Sequence, residues 1–321
     1  MIYHPGALGD VVVMFGLIAE LKKHYHHLTL VCRPSAGYLA TAFELVHQSL
    51  SQDTRPWSSL YGGRPDNRVI QLLKRQQQII AFSISHELEN RIRSCTPVPC
   101  LRVRPRPPVN VDEHVAAVAA RELIEKGLIR RKPSLTRALC RQTLPAQAGP
   151  ARGRKAPTLL HPGAGSPRKR WPLENFLQVA SGIGAAGDRP EMIIGPAETD
   201  ILENIRPHGF HLHVLKDIGD LLRLLQTAAG FIGNDSGVAH LAACLGLPTT
   251  VIYTASDARR WRPAGPAVAT LSPELPCRPC FEIRSENCSE PDCLTAITPG
   301  LVLQTHYRQM EKRSADESLE E

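Results

Sequence analysis

Short apolar runs alternate with longer segments of helical periodicity along most of this chain. In the first half, Ile2-Tyr3-His4, Leu28-Thr29-Leu30-Val31-Cys32 and Ile79-Ile80-Ala81-Phe82-Ser83 have the compact apolar character of buried strands. A helix is predicted from about Val11 to Lys23. Another is predicted over Asp112 to Lys126, where Val115, Val118, Ala119 and Leu123 share one stripe and Gly127 supplies the stop. In the second half, Thr158-Leu159-Leu160, Met192-Ile193-Ile194, His211-Leu212-His213-Val214, Gly230-Phe231-Ile232 and Thr249-Thr250-Val251-Ile252-Tyr253 predict strands. Pro172 opens a helix at its first position, Asp220 to Ala228 carries leucines at helical spacing, and Thr298 to about Arg313 predicts a final helix. Strand and helix alternating in this way predict an α/β protein of doubly wound parallel sheets.

With 321 residues the chain exceeds one ordinary core and suits two domains, 1–150 and 151–297, followed by the helix at 298–313. Residues 314–321 form an acidic tail that predicts disorder. Between Gly127 and Pro157 lie eight Lys or Arg residues and no carboxylate, with Pro145, Gly149, Pro150 and Gly153 among them. That stretch reads as the interdomain linker, and its charge is either solvated or turned to an anionic lipid or phosphorylated acceptor. The run Arg102-Val103-Arg104-Pro105-Arg106 is open to the same two readings.

A net charge of +7 favours anionic partners. Aromatic residues are sparse and do not interleave with the basic ones, which argues against nucleic acid. The apolar run Val11 to Ala19 is too short to span a bilayer and has no basic flank before it, so a cytoplasmic location is expected. Nine cysteines in that setting imply reduced thiols rather than a disulfide framework.

The most informative stretch is Gly233-Asn234-Asp235-Ser236-Gly237-Val238-Ala239-His240, which follows one predicted strand and leads through Gly246 to the next. Asp235 or Ser236 can cap the intervening helix, and Gly246 suits its C-terminal stop. A loop at the carboxyl end of a parallel strand offers a helix N-terminus, with unpaired N–H groups and positive potential, to a phosphate or sugar hydroxyl. Gly163-Ala164-Gly165-Ser166 offers a second cradle of bare N–H groups, followed by the cations Arg168, Lys169 and Arg170. The ordinary alternative for each is a structural turn with solvated charges.

Asp-Ser-Gly-x-x-His-Leu-Ala-Ala-x-Leu-Gly-x-Pro, from Asp235 to Pro248, resembles the signature of glycosyltransferase family 9, the ADP-heptose:lipopolysaccharide heptosyltransferases. His161-Pro162-Gly163-Ala164-Gly165-Ser166-Pro167-Arg168-Lys169-Arg170-Trp171-Pro172 resembles the family's His-Pro-Gly-x-Gly…Lys-x-Trp-Pro element. Pro5-Gly6-Ala7-Leu8-Gly9-Asp10 resembles its amino-terminal Gly-Ala-Leu-Gly-Asp loop. Between about Lys22 and Pro150 the likeness is only one of general plan. The resemblance implies a GT-B fold, two Rossmann-like domains facing a cleft, with acceptor on the first and ADP-sugar on the second. Its final helix commonly packs back on the N-terminal domain.

The same resemblance assigns site residues. Asp10, after Gly9, is the implied base that deprotonates the acceptor hydroxyl; its structural alternative is a helix cap. Lys169 is the implied contact to the donor diphosphate, where a cation neutralises the leaving group without a required metal. Glu198 is the implied contact to the nucleoside, although an acidic residue near a first helical turn also answers the helix dipole. Gly163, Gly165, Ser166, Asp235, Ser236, Gly237 and His240 complete the expected donor pocket, with His240 equally readable as a core histidine. Departures exist: Thr254-Ala255-Ser256-Asp257 stands where the family shows Gly-Pro-Thr-Asp, and His4 where it often has Arg.

Cys277, Cys280, Cys288 and Cys293 invite a structural zinc site, with no open position for chemistry. The expected activity is therefore inverting transfer of heptose from ADP-heptose to a lipopolysaccharide-core acceptor, with peripheral contact at the inner membrane face. The rivals are a nucleotide-sugar epimerase, another GT-B transferase, or a non-catalytic nucleotide-sugar-binding protein.

Overall fold

The computed structural model describes residues 1–108, 111–130, 156–196, 198–275, 280–283 and 292–318. The chain divides into two compact units, Met1–Leu139 and Cys140–Glu321. The expected boundary near residue 150 and most of the basic stretch around it lie outside the described residues.

The first unit holds five parallel strands: β1 (Ile2–Tyr3), β2 (Thr29–Cys32), β3 (Gln48–Ser51), β4 (Ile79–Phe82) and β5 (Cys100–Val103). They run in the order β3-β2-β1-β4-β5. Every residue of β1, β2 and β4 is buried, as expected of central strands covered on both faces, which is why these three show as apolar runs in the sequence. The edge strand β3 is polar and partly exposed, and β5 hides within the basic run. Arg102 of β5 is partly buried and held by the protein: its guanidinium donates to the Ser83 carbonyl at 3.3 Å and lies 3.8 Å from the buried Glu89 carboxylate. The helix predicted from Val11 is two helices, Leu8–Val12 and Phe15–Lys22, and the first begins early enough to take Asp10 into its opening turn.

The second unit holds six parallel strands: β6 (Thr158–His161), β7 (Pro190–Ile194), β8 (His211–Val214), β9 (Gly230–Asn234), β10 (Thr249–Ile252) and β11 (Val268–Leu271). Their spatial order, β8-β7-β6-β9-β10-β11, is that of a Rossmann sheet, and the winding reverses between β6 and β9. Leu160, Met192, Ile232 and Ile252 from four strands pack with Trp171, Phe176 and Ile183 into one core. Pro172 caps the helix Leu173–Ala185 instead of opening it from within.

The final helix spans Pro299–Ser318 and finds contacts within the second unit. It lies against the helix Leu173–Ala185 and strands β9 to β11. Gly182 and Gly230 admit it closely, since a Cβ on either would come within 2.6 Å of Leu303 or His306. His306 is buried, with Nε2 3.3 Å from the Thr158 hydroxyl, and the Tyr307 hydroxyl donates to Asp188 at 3.1 Å. The helix runs through Ser318, and Leu319 to Glu321, the end of the expected tail, lie outside the described residues. Among the described residues no helix is long and apolar enough to cross a membrane.

Candidate active site

Strands β6 and β9 are neighbours at the reversal point of the second sheet, so the loops leaving their carboxyl ends emerge side by side. The first loop carries His161 to Ser166 and the second carries Asp235 to Gly237. Asn234, fully buried at the end of β9, ties the first loop down. Its side-chain amide donates to the Pro162 carbonyl at 2.8 Å, and its oxygen accepts from the Trp171 N–H at 3.0 Å. Trp171 is anchored in turn by its indole N–H on the Ile297 carbonyl at 3.1 Å. The backbone between Pro162 and Trp171 is thereby held at both ends.

Within that span Pro167–Lys169 forms one 3-10 turn. It brings the Lys169 ammonium 2.7 Å from Asp235 Oδ2, an ion pair in which the carboxylate is almost wholly buried. The same oxygen accepts from the Ser256 hydroxyl at 2.5 Å. The ammonium also sits 4.2 Å from the centre of the Phe281 ring, over its negative face. Charge-assisted bonds of this kind fix a side chain more firmly than neutral ones. The sequence reading gave Lys169 to a diphosphate and Asp235 to the wider donor pocket; the structure joins the two to each other. An ammonium has three donors, and Asp235 uses one.

Ser236 caps the helix Gly237–Cys244, its hydroxyl accepting from the Ala239 N–H at 3.3 Å. The cap is Ser236, not Asp235. His161 lies beneath, with Nδ1 3.5 Å from the Ser236 hydroxyl and Nε2 3.8 Å from Glu198 Oε2. Glu198 follows β7 and accepts from the Gly195 N–H at 2.8 Å. Burial works to raise its pKa, but the His161 imidazole, the Gly195 N–H and the charge of Arg170 together outweigh burial and hold the carboxyl below its ordinary range. Gly163 is explained by this carboxylate, since a Cβ there would stand 2.4 Å from Glu198 Cδ. Gly165 is different: the space around its missing Cβ is open, so its backbone is left bare. His240 is buried, 3.9 Å from Asp235 Oδ1, on the inner side of the same carboxylate.

In the first unit the loop after β1 is also at a reversal point, between β1 and β4. Asp10 Oδ2 accepts from the Ala7 N–H at 2.9 Å, so the carboxylate does satisfy the start of its helix, using one of its two oxygens. A Cβ on Gly6 would lie 2.7 Å from Asp10 Cβ and 2.7 Å from His4 Cε1, so glycine is what lets these three close together. His4 is buried, takes the Gly6 N–H on Nδ1 at 3.2 Å and packs against Phe82 with the rings tilted and their centres 4.8 Å apart. Burial drives its pKa down to about 4, so no cation replaces the family's arginine at neutral pH.

The family model described as glycosyltransferase family 9 (heptosyltransferase) matches residues 106–289, more than half of the chain. The chain belongs to glycosyltransferase family 9. The matched segment contains the loops after β6 and β9 of this family 9 protein, whereas Asp10 precedes it. Likeness of fold extends over nearly the whole chain. A family 9 glycosyl transferase from Veillonella parvula superposes with a TM-score of 0.74 at 17% identity, covering 97% of this chain and 96% of that one. The ADP-heptose lipopolysaccharide heptosyltransferase II of E. coli gives 0.67 at 15%, covering 98% of each chain. E. coli heptosyltransferase WaaC with ADP gives 0.69 at 13%, covering 96% and 98%. No curated protein matches in sequence. The GT-B expectation is met at the level of fold: an α/β chain with two parallel-sheet domains.

Four residues of the candidate site in this family 9 protein carry no assigned role in the sequence reading: His161, Asn234, Ser256 and Phe281. Ser256 appears there only as a departure, yet its hydroxyl holds Asp235, while Thr254 Oγ1 donates to the Arg168 carbonyl at 3.0 Å. In the same tetrapeptide Asp257 caps the next helix, accepting from Arg259 N–H at 2.9 Å. Of the four cysteines, Cys280 and Cys293 are described and partly buried, and Cys277 and Cys288 lie outside the described residues.

Proposed function

We propose that this protein is an inverting glycosyltransferase that moves heptose from ADP-heptose to a lipopolysaccharide-core acceptor. One observation carries the reading: a preorganised ammonium, Lys169 held by Asp235, beside the capped N-terminus of the helix Gly237–Cys244 at the sheet's reversal point. That combination is suited to a diphosphate, and the named activities of the structurally similar E. coli proteins favour ADP-heptose as its carrier.

In this reading the diphosphate lies against Gly165, Ser166 and the N–H groups of Ser236 and Gly237, with Lys169 neutralising the charge that grows on the leaving oxygen. Glu198 accepts hydroxyls of the nucleoside, and His161 keeps its carboxylate in place. The acceptor hydroxyl attacks the anomeric carbon from the face opposite the diphosphate. As that bond forms, the bond from carbon to diphosphate oxygen breaks, ADP departs, and Asp10 takes the hydroxyl proton. No metal enters the scheme. The excess of +7 favours approach to an anionic, membrane-borne acceptor from its aqueous side.

The test is release of ADP from ADP-heptose in the presence and absence of lipopolysaccharide lacking heptose. Acceptor-dependent ADP release supports the proposal. Conversion of the nucleotide sugar without acceptor would place the chemistry with an epimerase. Tight binding with no turnover on any acceptor would make the protein a carrier.

A further inference from the structure

At the opposite edge of the second sheet three metal-ligating side chains converge, and the proposed transfer uses none of them. Glu191 is the second residue of β7, and in the parallel register it pairs with His211 of the edge strand β8. His213 follows at a spacing of two, so both imidazoles leave the strand on one face. One carboxylate oxygen and one nitrogen from each ring all lie within 4.8 Å of one another. His213 Nε2 is 2.7 Å from Glu191 Oε2, and the two rings meet edge to face at 4.6 Å. The carboxylate is buried, His213 partly so, and His211 is exposed, which leaves the cluster open to solvent on one side.

We propose that Glu191, His211 and His213 form a binding site for a divalent first-row transition ion of the zinc class. Two neutral imidazoles and one carboxylate are the borderline donors that such ions select over the all-oxygen shells of magnesium or calcium. Three protein ligands leave the fourth position to water, which the exposed side of the cluster supplies. Metal bonds of about 2.0–2.2 Å place tetrahedral ligand atoms roughly 3.3–3.6 Å apart, so the widest pair must draw in by about an ångström while the 2.7 Å His213–Glu191 pair opens by somewhat less. The ion enters between His213 Nε2 and Glu191 Oε2, replacing the proton they share. The second carboxylate oxygen accepts from Arg189 at 2.5 Å, the kind of outer contact that fixes a ligand's orientation.

The position argues for a tie between strands rather than for chemistry. Glu191 stands three residues before the end of β7, about 10 Å along the strand from the loop bearing Glu198. β8 is short and at the edge, where a strand has hydrogen-bonding partners on one side alone. A metal bridging β7 to β8 fastens that edge.

The experiment uses the full chain, freed of any affinity tag and of metal, titrated with Co²⁺ and then competed with Zn²⁺. Expected is one equivalent of Co²⁺ with visible ligand-field bands and no near-ultraviolet thiolate transfer band, together with a rise in Tm. H211A and H213A weaken binding about tenfold or more, the size lost even when only an outer partner is removed. Both keep wild-type affinity for ADP, which reports that they fold. H213Q, which retains a hydrogen-bonding side chain, also loses the metal. Undiminished Co²⁺ binding in H211A and H213A overturns the assignment, as do thiolate bands that give the ion to the cysteines. Failure of the wild-type chain to bind Co²⁺ overturns it equally.

Discussion

The two units each present a strand, a glycine-bearing loop and a helix at the reversal point of a parallel sheet, yet they hold those loops differently. In the second unit the loop is cross-braced by side chains distant in sequence: Asn234 to Pro162 and Trp171, Thr254 to Arg168, Asp235 to Lys169 and Ser256. In the first unit the loop after β1 is tied mostly to its own neighbours, Gly6 N–H to His4 and Ala7 N–H to Asp10, with one distant brace, the Gln52 amide donating to the Pro5 carbonyl at 3.3 Å. A braced loop can hold a ligand's charge at a fixed point without rearranging. A loosely braced loop with a half-exposed carboxylate suits a proton acceptor that meets different hydroxyls. The comparison predicts that damage to the first loop strikes turnover, and damage to the second strikes binding and stability as well.

Asp10→Asn should show the largest effect. Asparagine can still accept from the Ala7 N–H, so the cap survives, but it takes no proton. Turnover is expected to fall by about 10²–10⁴ with ADP affinity and Tm unchanged. A variant that transfers at wild-type rate would reduce Asp10 to its capping role. Lys169→Ala comes next. Its loss leaves Asp235 a buried carboxylate with Ser256 and no ammonium, and leaves the departing diphosphate uncompensated. Transfer should slow by about 10²–10³, and calorimetry should show weaker ADP binding. Unchanged ADP affinity would remove Lys169 from the donor site.

Acid tests both units through one shared device. His4 in the first unit and His306 in the second are each buried, and burial lowers each pKa to about 4. Unfolded histidine titrates near 6.5, so above that pH neither state gains a proton. As pH falls from about 6.5 toward 4 the unfolded chain takes up protons that the folded one refuses, and stability drops, by up to roughly 3 kcal/mol for each histidine. Denaturant titrations at pH 7 and pH 4.5 should show the loss, and H4Q and H306Q should each flatten it. An equal slope in both variants and the wild type would assign acid sensitivity to other groups.

What could be read in the chain before its fold follows from which interactions are local. β2, β4, β6, β9 and β10 are buried throughout, so their apolar runs announce them. β3 has no such run because it is a polar edge, and β5 is masked by Arg102, whose charge is answered by Glu89 from a neighbouring helix. The glycines, Lys169 and Asp235 stand out in the sequence as candidate site residues, since loop composition carries that signal, and the structure gathers Lys169 and Asp235 into one site. The pairing of Lys169 with Asp235 was not legible, because the partners are 66 positions apart. Gly163 shows the limit well. It reads as a phosphate cradle, while the fold also needs it to let Glu198 approach.

Asn234 offers the finest test of the braced loop. It is wholly buried, donates to Pro162 and at 3.4 Å to the Gly163 carbonyl, and accepts from Trp171. Asn234→Ala leaves a buried carbonyl and a buried N–H without their partner, at a cost of about 1–3 kcal/mol. The loss should appear as a lowered Tm. It should also appear as weaker ADP binding, because Gly165, Ser166 and Lys169 all lie in the span that Asn234 holds at both ends. Asn234→Asp separates the two bonds: aspartate can still accept from the Trp171 N–H but turns a like oxygen on the Pro162 carbonyl. If the brace positions the cradle, both variants lose ADP affinity in step with stability, while the proton transfer assigned to Asp10 keeps its pH profile. An alanine variant that melts early yet binds ADP as tightly as the wild type would show that the cradle holds its shape from the backbone alone.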